Sequence, residues 1–513
     1  MARLFEYQSK ALLQKAGIPI QRGKVCSTLA EVKAFCDELK RPVVIKAQVW
    51  FTGRAAVGGI QFADTPQEAE QKAEAILNKT VRNFTITKVL VAEKVSIKTE
   101  LFASVIIDDV ARAPVLIFCG RGGSGIEEIA KEHPEAVVKK VINIQTGLYE
   151  FEAMNIIRKF RFSGKVLPQL SGVLVNLVKT AFTNEARSVE INPLVITDDD
   201  SVVAVDARIT VDDYAVFRHP ELGITYAREL DNPPSPLDML AYTIEKDDYR
   251  GTFYFFQLER GYPKGAGYVG FHGAGGGGSM MSMDALQRRG YKPANFCDTS
   301  GNPPASKVYR AARIILTQKN IDGYFGSGSG VASQEQVHSA RGLVKAFLEE
   351  NLSVPAVIRL GGNMEEKAVE ILQNYTKELF VPVEGYTKDD SADFCAERFD
   401  TLVKEFSSLK TGAKPPIGLS KVDYSFKTIT GEVQFQYDLC AQCTSKICIA
   451  SCSPQILKLN GDKPVLAISE DDAKKGKCIE CLACELECRM QGKQGCYVYL
   501  PIENLASVSA ESQ

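Results

Sequence analysis

The chain lacks an excess of charge of either sign. Its 61 lysines and arginines stand against 63 aspartates and glutamates, for a formal net charge of −2. That balance removes any electrostatic reason to expect nucleic acid or an anionic membrane as a partner. No apolar run approaches the roughly 20 residues that a membrane-spanning helix needs. The opening Met1-Ala2-Arg3-Leu4-Phe5-Glu6 is not a secretory signal, so a cytoplasmic location is expected. Cysteine is sparse over the first four-fifths of the chain, where only Cys26, Cys36, Cys119, Cys297 and Cys395 occur, scattered as buried small hydrophobes usually are. The other nine of the 14 cysteines lie between Cys440 and Cys496. In a cytoplasmic chain such a terminal cluster reads as a metal module rather than a disulfide framework. At 513 residues the chain is too long for one core, and about three domains are expected.

Ser188 to Ile196 and Val202 to Ala207 are two runs rich in β-branched residues, joined by the turn chemistry of Thr197-Asp198-Asp199-Asp200-Ser201. They predict a hairpin. Alternation of faces points Glu190 and Asn192 the same way, and the return strand brings Asp206 nearly opposite Asn192. Two carboxylates and an amide oxygen on one face suit Mg²⁺ with phosphate oxygens completing its shell. The residues alone leave that reading level with an ordinary polar hairpin face.

Around the hairpin, residues 1–235 alternate strand-like and helix-like segments. Glu6 to Ala16 is a helix stopped by Gly17-Ile18-Pro19. Val43 to Val49 is a strand carrying Lys46 in an apolar run, which makes Lys46 either a phosphate ligand or a snorkelling strand-end lysine. The loop Gly120 to Gly125 before Ile126 has the form of a weak anion site. Asn232 to Pro236 is a linker, and 236–400 is a second αβ domain. In it, strands run into glycine turns at Gly273 to Gly278 (helix from Ser279), Gly326 to Gly330 and Gly361-Gly362-Asn363. Such repetition predicts a doubly wound parallel sheet with its ligand edge at the strand C-termini. Residues 401–428 read as a linker, 429–505 as a third domain, and the polar end around Ala506 to Ser509 as disordered.

Phe5-Glu6-Tyr7-Gln8-Ser9-Lys10, the strand around Lys46, Gly53-Arg54, Glu190 to Val195, Gly273-Ala274-Gly275, Pro293 to Phe296 and Arg359 to Asn363 resemble the β subunit of succinate–CoA ligase, in order over roughly residues 1–385. The resemblance implies an α/β chain: an ATP-grasp domain followed by a flavodoxin-like ligase domain. It implies ATP bound with Mg²⁺, and a partner α subunit that carries the phosphorylated histidine and most of the CoA site. Carried over by position, Lys46, Gly53 and Arg54 contact the phosphates. Glu93 lies in the hinge beside adenine, and Glu100 near the ribose or phosphates. Asn192 and Asp206 hold Mg²⁺, and Glu190 steadies the phosphohistidine. Gly273, Gly275, Gly326, Gly328 and Asn363 form the loops around that histidine and the acid at the second site. The chain has only four histidines, with His272 expected as an ordinary turn residue and His133, His219 and His338 in no nucleophile context. Three departures stand out. Gly53-Arg54-Ala55-Ala56 replaces a more basic Gly-Arg-Gly-Lys loop, the turn at Gly326 is longer and richer in serine, and Gly361 replaces a glutamate. Succinate is therefore only the default acid.

The terminal cysteines form two runs, Cys440-x2-Cys443-x4-Cys448-x3-Cys452 and Cys478-x2-Cys481-x2-Cys484-x3-Cys488. The second has the spacing of a bacterial ferredoxin, in which the fourth cysteine of each run ligates the other cluster. The spacing predicts one [4Fe-4S] cluster on Cys440, Cys443, Cys448 and Cys488, and another on Cys478, Cys481, Cys484 and Cys452. Zinc is the plainer alternative, but its ribbons use two CxxC pairs rather than two runs of four. Cys496 is left over as a structural residue. Two functions follow: a β-type acyl-CoA synthetase subunit carrying a ferredoxin module, with a ferredoxin-dependent oxidoreductase as a further partner, or an electron-transfer subunit whose ATP-grasp part is regulatory or vestigial.

Overall fold

The β-branched runs and amphipathic segments fold into two units, Met1–Pro233 and Pro234–Gln513, in the computed structural model. It describes residues 2–51, 53–81, 83–122, 132–228, 232–246, 253–328, 330, 332–333, 335–406 and 416–511. Half of the expected anion site at residues 120–125, residues 123–125, lies outside them.

The first unit contains helix α1 (Glu6–Lys15) and two larger sheets. In the smaller, β1 (Val43–Ala47) lies between Ile60–Ala63 and β2 (Val89–Glu93), with Gly23–Cys26 at the far edge, all antiparallel. One face is covered by two helices. In Leu29–Leu39, Val32, Phe35, Cys36 and Leu39 fall on one stripe, and Thr28 with Glu31 caps the N-terminus. The larger, seven-stranded sheet is built around β3 (Thr99–Asp108) and β4 (Ala186–Ile196). β4 pairs with Val202–Ala204 through Leu194↔Ala204 and Ile196↔Val202, then with β5 (Ala207–Val211) through Ile191↔Ala207 and Glu190↔Arg208. Between these ladders the Asn192 N–H donates to the Asp206 carbonyl at 3.2 Å. Asp206 thus lies opposite Asn192.

The second unit has a seven-stranded sheet in which β6 (Tyr268–Ala274), β7 (Gly323–Gly328), β8 (Ala356–Arg359) and Val383–Tyr386 run parallel in that order. Three details differ from expectation. Gly326 and Gly328 lie within β7, because a side chain at either would press on its neighbours: a Cβ on Gly326 would come 2.9 Å from Ile358, and one on Gly328 3.1 Å from the Gly361 nitrogen. Helix α2 begins at Gly276, capped by Gly275 at φ 102°, so Ser279 is its fourth residue rather than its cap. Ser279 hydrogen-bonds back to the Gly275 carbonyl at 2.7 Å. The expected linker at 401–428 is helical through Phe406 and strand from Tyr424.

The second unit also contains α3 (Ala305–Leu316), α4 (Val337–Glu350), a small three-stranded sheet ending in β9 (Cys496–Tyr499), and α5 (Ala483–Gln491). The cysteine module shares one continuous core with α3 and α4. Phe435, Leu486 and Val498 belong to the same buried cluster as Val308, Val344 and Phe347. The polar C-terminal end is helical (Leu505–Glu511), because Leu505 and Val508, three apart, both pack on this core.

Candidate active site and cysteine module

Lys46 projects from β1 as a side chain only 4% exposed, and a buried ammonium requires anions. It donates to Glu6 Oε1 and to the Val205 carbonyl, both at 2.8 Å. Glu6, in the first turn of α1, also receives Lys10 at 3.0 Å and Arg54 Nη1 at 2.8 Å. Arg54 then reaches Asp206 Oδ2 with Nη2 at 2.7 Å, while the other Asp206 oxygen accepts the Ala207 N–H at 2.8 Å. Gly53, at φ 78°, supplies the left-handed turn that aims Arg54 inward. Burial alone would raise the Glu6 carboxyl, but Lys46, Lys10 and Arg54 hold it far below the carboxylate range. Burial also lowers the Lys10 ammonium to about 8, with Lys46 adding to the effect. Three cations and two carboxylates leave the cluster one positive charge in surplus, as a phosphate site needs.

Glu190 faces Arg208 across the ladder and hydrogen-bonds Asn192. Burial raises its carboxyl, and the nearby Asp206 charge adds to that. Lys46, Arg54, Asn192, Asp206 and Glu190 therefore form a connected set. Glu93 stands apart: its ladder partner is Val43 while that of Lys46 is Leu90, so by alternation it projects from the opposite face, where it pairs with Arg41. Glu100 lies on β3 opposite Val195, and its carbonyl accepts the Gly122 N–H at 2.7 Å. Sequence reasoning gave no role to Glu6, the hub of the cluster. Its signal was present: a carboxylate in the first turn, four residues before Lys10.

At the ligand edge of the second unit, His272 is buried within β6 rather than placed in a turn. Its Nδ1 lies 2.5 Å from the Tyr324 hydroxyl and Nε2 3.2 Å from Thr299, and burial lowers its pKa to about 3. It is neutral at physiological pH, so His272→Gln should leave the pH dependence of turnover between 6 and 8 unchanged while lowering the melting temperature; a shifted profile would contradict this. The Asn363 side chain donates to the Ser333 carbonyl at 2.6 Å, and Gly273 would place a Cβ 2.6 Å from Ser279 Oγ.

In the cysteine module, Cys452, Cys478, Cys481 and Cys484 line one cavity together with Val433 and Val498. Cys440, Cys443, Cys448 and Cys488 interact electrostatically with one another, and Cys448 also with Cys484. Burial pushes Cys440 and Cys481 up to about 11 and Cys448 to about 12. Thiols so raised ionise when a metal takes the charge. Backbone N–H groups of Gln455, Ile456 and Leu457 aim at Cys452, and those of Lys493, Gly495 and Cys496 at Cys488. Cys496 hydrogen-bonds Cys484. Among the described residues no three His, Cys, Asp or Glu side chains are arranged around a single ion. No helix among them is long and apolar enough to cross a membrane.

The ATP-grasp domain family matches residues 3–196, so the first unit contains an ATP-grasp domain. A GDP-forming succinate–CoA ligase β subunit from Thermus thermophilus is 38% identical over 371 residues, covering 72% of this chain and 93% of its own. An ADP-forming one from Ignicoccus hospitalis is 35% identical over 378 residues, covering 74% and 95%. The chain belongs to the succinate–CoA ligase β-subunit family, and it is the β subunit of an ATP-grasp acyl-CoA synthetase. ATP citrate lyase from Methanothrix soehngenii, solved with citrate and coenzyme A, shares the fold at TM-score 0.63 and 18% identity, covering 79% of this chain and 99% of that one.

Proposed function

We propose that the chain acts with an α-type partner subunit to form an acyl-CoA from a carboxylic acid of the succinate class, CoA and ATP, and that its C-terminal module carries two [4Fe-4S] clusters for electron transfer. The observation that carries the ligase half is Arg54, held between Glu6 and Asp206 beside Lys46. An arginine pinned to a carboxylate on each side is aimed before any ligand arrives. Lys46 and Arg54 bind the nucleotide phosphates. Asn192 and Asp206 fit Mg²⁺, because they offer two hard oxygens and leave the remaining positions to phosphate and water. Arg54 is placed to neutralise charge on the transferring phosphoryl group, and Mg²⁺, when bound, would supply further charge neutralisation there. Glu190, half-buried next to Asp206, faces the partner's histidine as it accepts the phosphoryl group from ATP. Glu93 lies at the strand end that the family resemblance puts beside adenine; its backbone N–H donates to the Arg22 carbonyl and its carbonyl accepts from the Gln21 side chain, so its carboxylate, on the face of Arg41, is the group left for a base.

The cavity lined by Cys452, Cys478, Cys481 and Cys484 supports the redox half, because it joins the last cysteine of the first run to the first three of the second. Electrons pass to or from a ferredoxin-dependent oxidoreductase that makes or uses the acyl-CoA. Anaerobically purified chain should contain about eight irons and eight acid-labile sulfides, the content of two [4Fe-4S] clusters. Zinc without sulfide would refute the clusters. The Cys478→Ala variant should lose about half of the iron, and loss of none would refute the ligand assignment.

A further inference from the structure

We infer that Lys345, a residue of the ligase part of the second unit, is a positioning residue for the iron–sulfur module and supplies the buried positive charge that favours its reduced state. This rests on the cluster reading proposed above. Lys345 lies on α4 and its side chain is 1% exposed. Its ammonium donates to both oxygens of Glu485, at 2.6 and 2.9 Å, and pairs with Glu349 at 2.8 Å. It also stands 4.0 Å from the ring centre of Tyr497.

Two of those partners are tied to a cysteine. Glu485 follows Cys484 on α5, and Tyr497 follows Cys496 on β9, the cysteine that hydrogen-bonds Cys484. A Glu485 oxygen takes the Val498 N–H at 3.0 Å, and Val498 lines the four-cysteine cavity. From the ligase side, the Tyr309 hydroxyl at 2.5 Å and Arg313 at 2.8 Å hold Glu349, and Tyr497 closes the network by donating to Glu349 at 3.0 Å. The cation is thus fixed from both sides, and its anchor is the chain beside Cys484.

One-electron reduction of a [4Fe-4S] cluster adds one negative charge, and a fixed cation in a low-dielectric setting favours that charge. A ferredoxin free to swing on a linker would not need this cation from another part of the chain. The buried network makes the potential a property of the docked module.

The test is a potentiometric titration with dithionite, followed by electron paramagnetic resonance, on the anaerobic full-length chain. Lys345→Met should shift the midpoint of one cluster to a more negative potential with the iron and sulfide content retained. Lys345→Arg should restore it towards the parent value. Unmoved midpoints in a fully loaded Lys345→Met chain would overturn the inference. If that variant loses its clusters, Lys345→Met/Glu485→Gln, which removes the stranded carboxylate as well, should recover them, and failure to do so would equally overturn it. A parent chain that takes up no iron or sulfide removes the cluster reading itself, an outcome distinct from a loaded chain with unmoved midpoints.

Discussion

Asp206→Asn should slow phosphoryl transfer from Mg-ATP to the partner subunit by about 10²–10³-fold, the usual scale for removing one electrostatic contact to a developing charge. Two effects act together. The substitution takes away a carboxylate from the proposed Mg²⁺ site, and it frees Arg54, whose Nη2 is held to Asp206 at 2.7 Å. Arg54 keeps Glu6, so it stays near the site but loses one of its two fixed directions. The side chain of Asp206 is 24% exposed, and an amide fits the same space, so the chain should remain folded. Single-turnover transfer of label from γ-labelled ATP measures the effect, with thermal melting as the control for folding. A rate within threefold of the parent would mean that Mg²⁺ is held by other residues.

Glu6→Gln should have the largest effect on stability, about 3–5 kcal/mol, the range for breaking a buried ion pair from one side. Three cations, Lys46, Lys10 and Arg54, converge on this one carboxylate. In the variant, Lys46 keeps only neutral acceptors, the amide oxygen and the Val205 carbonyl. The pH dependence provides a second check. The folded carboxyl lies far below the ordinary 4.5, so the unfolded chain takes up the proton first as the pH falls. The stability contributed by the charge is complete above about pH 4.5 and is lost progressively below it. Urea midpoints of parent and variant should therefore differ most at pH 7 and converge as the pH drops from 4.5 towards 3. A difference that stays constant over that interval would mean that Glu6 is not ionised against these cations.

The parts of the site that were legible in the sequence are those fixed by local rules. Alternation along β4 and the acidic turn after it placed Asp206 opposite Asn192, because a hairpin's register follows from its turn and its pattern. Cysteine spacing grouped Cys452 with the second run, and the two runs meet at one cavity. Non-local contacts were not legible. Glu6 meets Lys46 and Arg54 from 40 and 48 residues away, and nothing in either segment alone signals the meeting. Lys345 reads as one more lysine on an amphipathic helix; only packing 140 residues along brings Glu485 to it. Glycine was misread for a related reason. Gly326 and Gly328 have turn composition, yet they serve the strand by letting Ile358 and Gly361 approach, a requirement set by neighbours rather than by the chain's own direction. The helix at the C-terminal end was missed because only Leu505 and Val508 mark its buried face.

The central claim is that this chain is a working ligase subunit whose Lys46–Glu6–Arg54–Asp206 cluster delivers a phosphoryl group. It is tested most directly by adding γ-labelled ATP and Mg²⁺ to the anaerobic complex with its partner subunit. Acid-labile, base-stable label should appear on the partner, as phosphohistidine, and CoA with a suitable acid should discharge it. Absence of label on the partner, in a complex whose clusters are loaded and reducible, would contradict the claim and leave the ATP-grasp domain a regulatory part of an electron-transfer subunit.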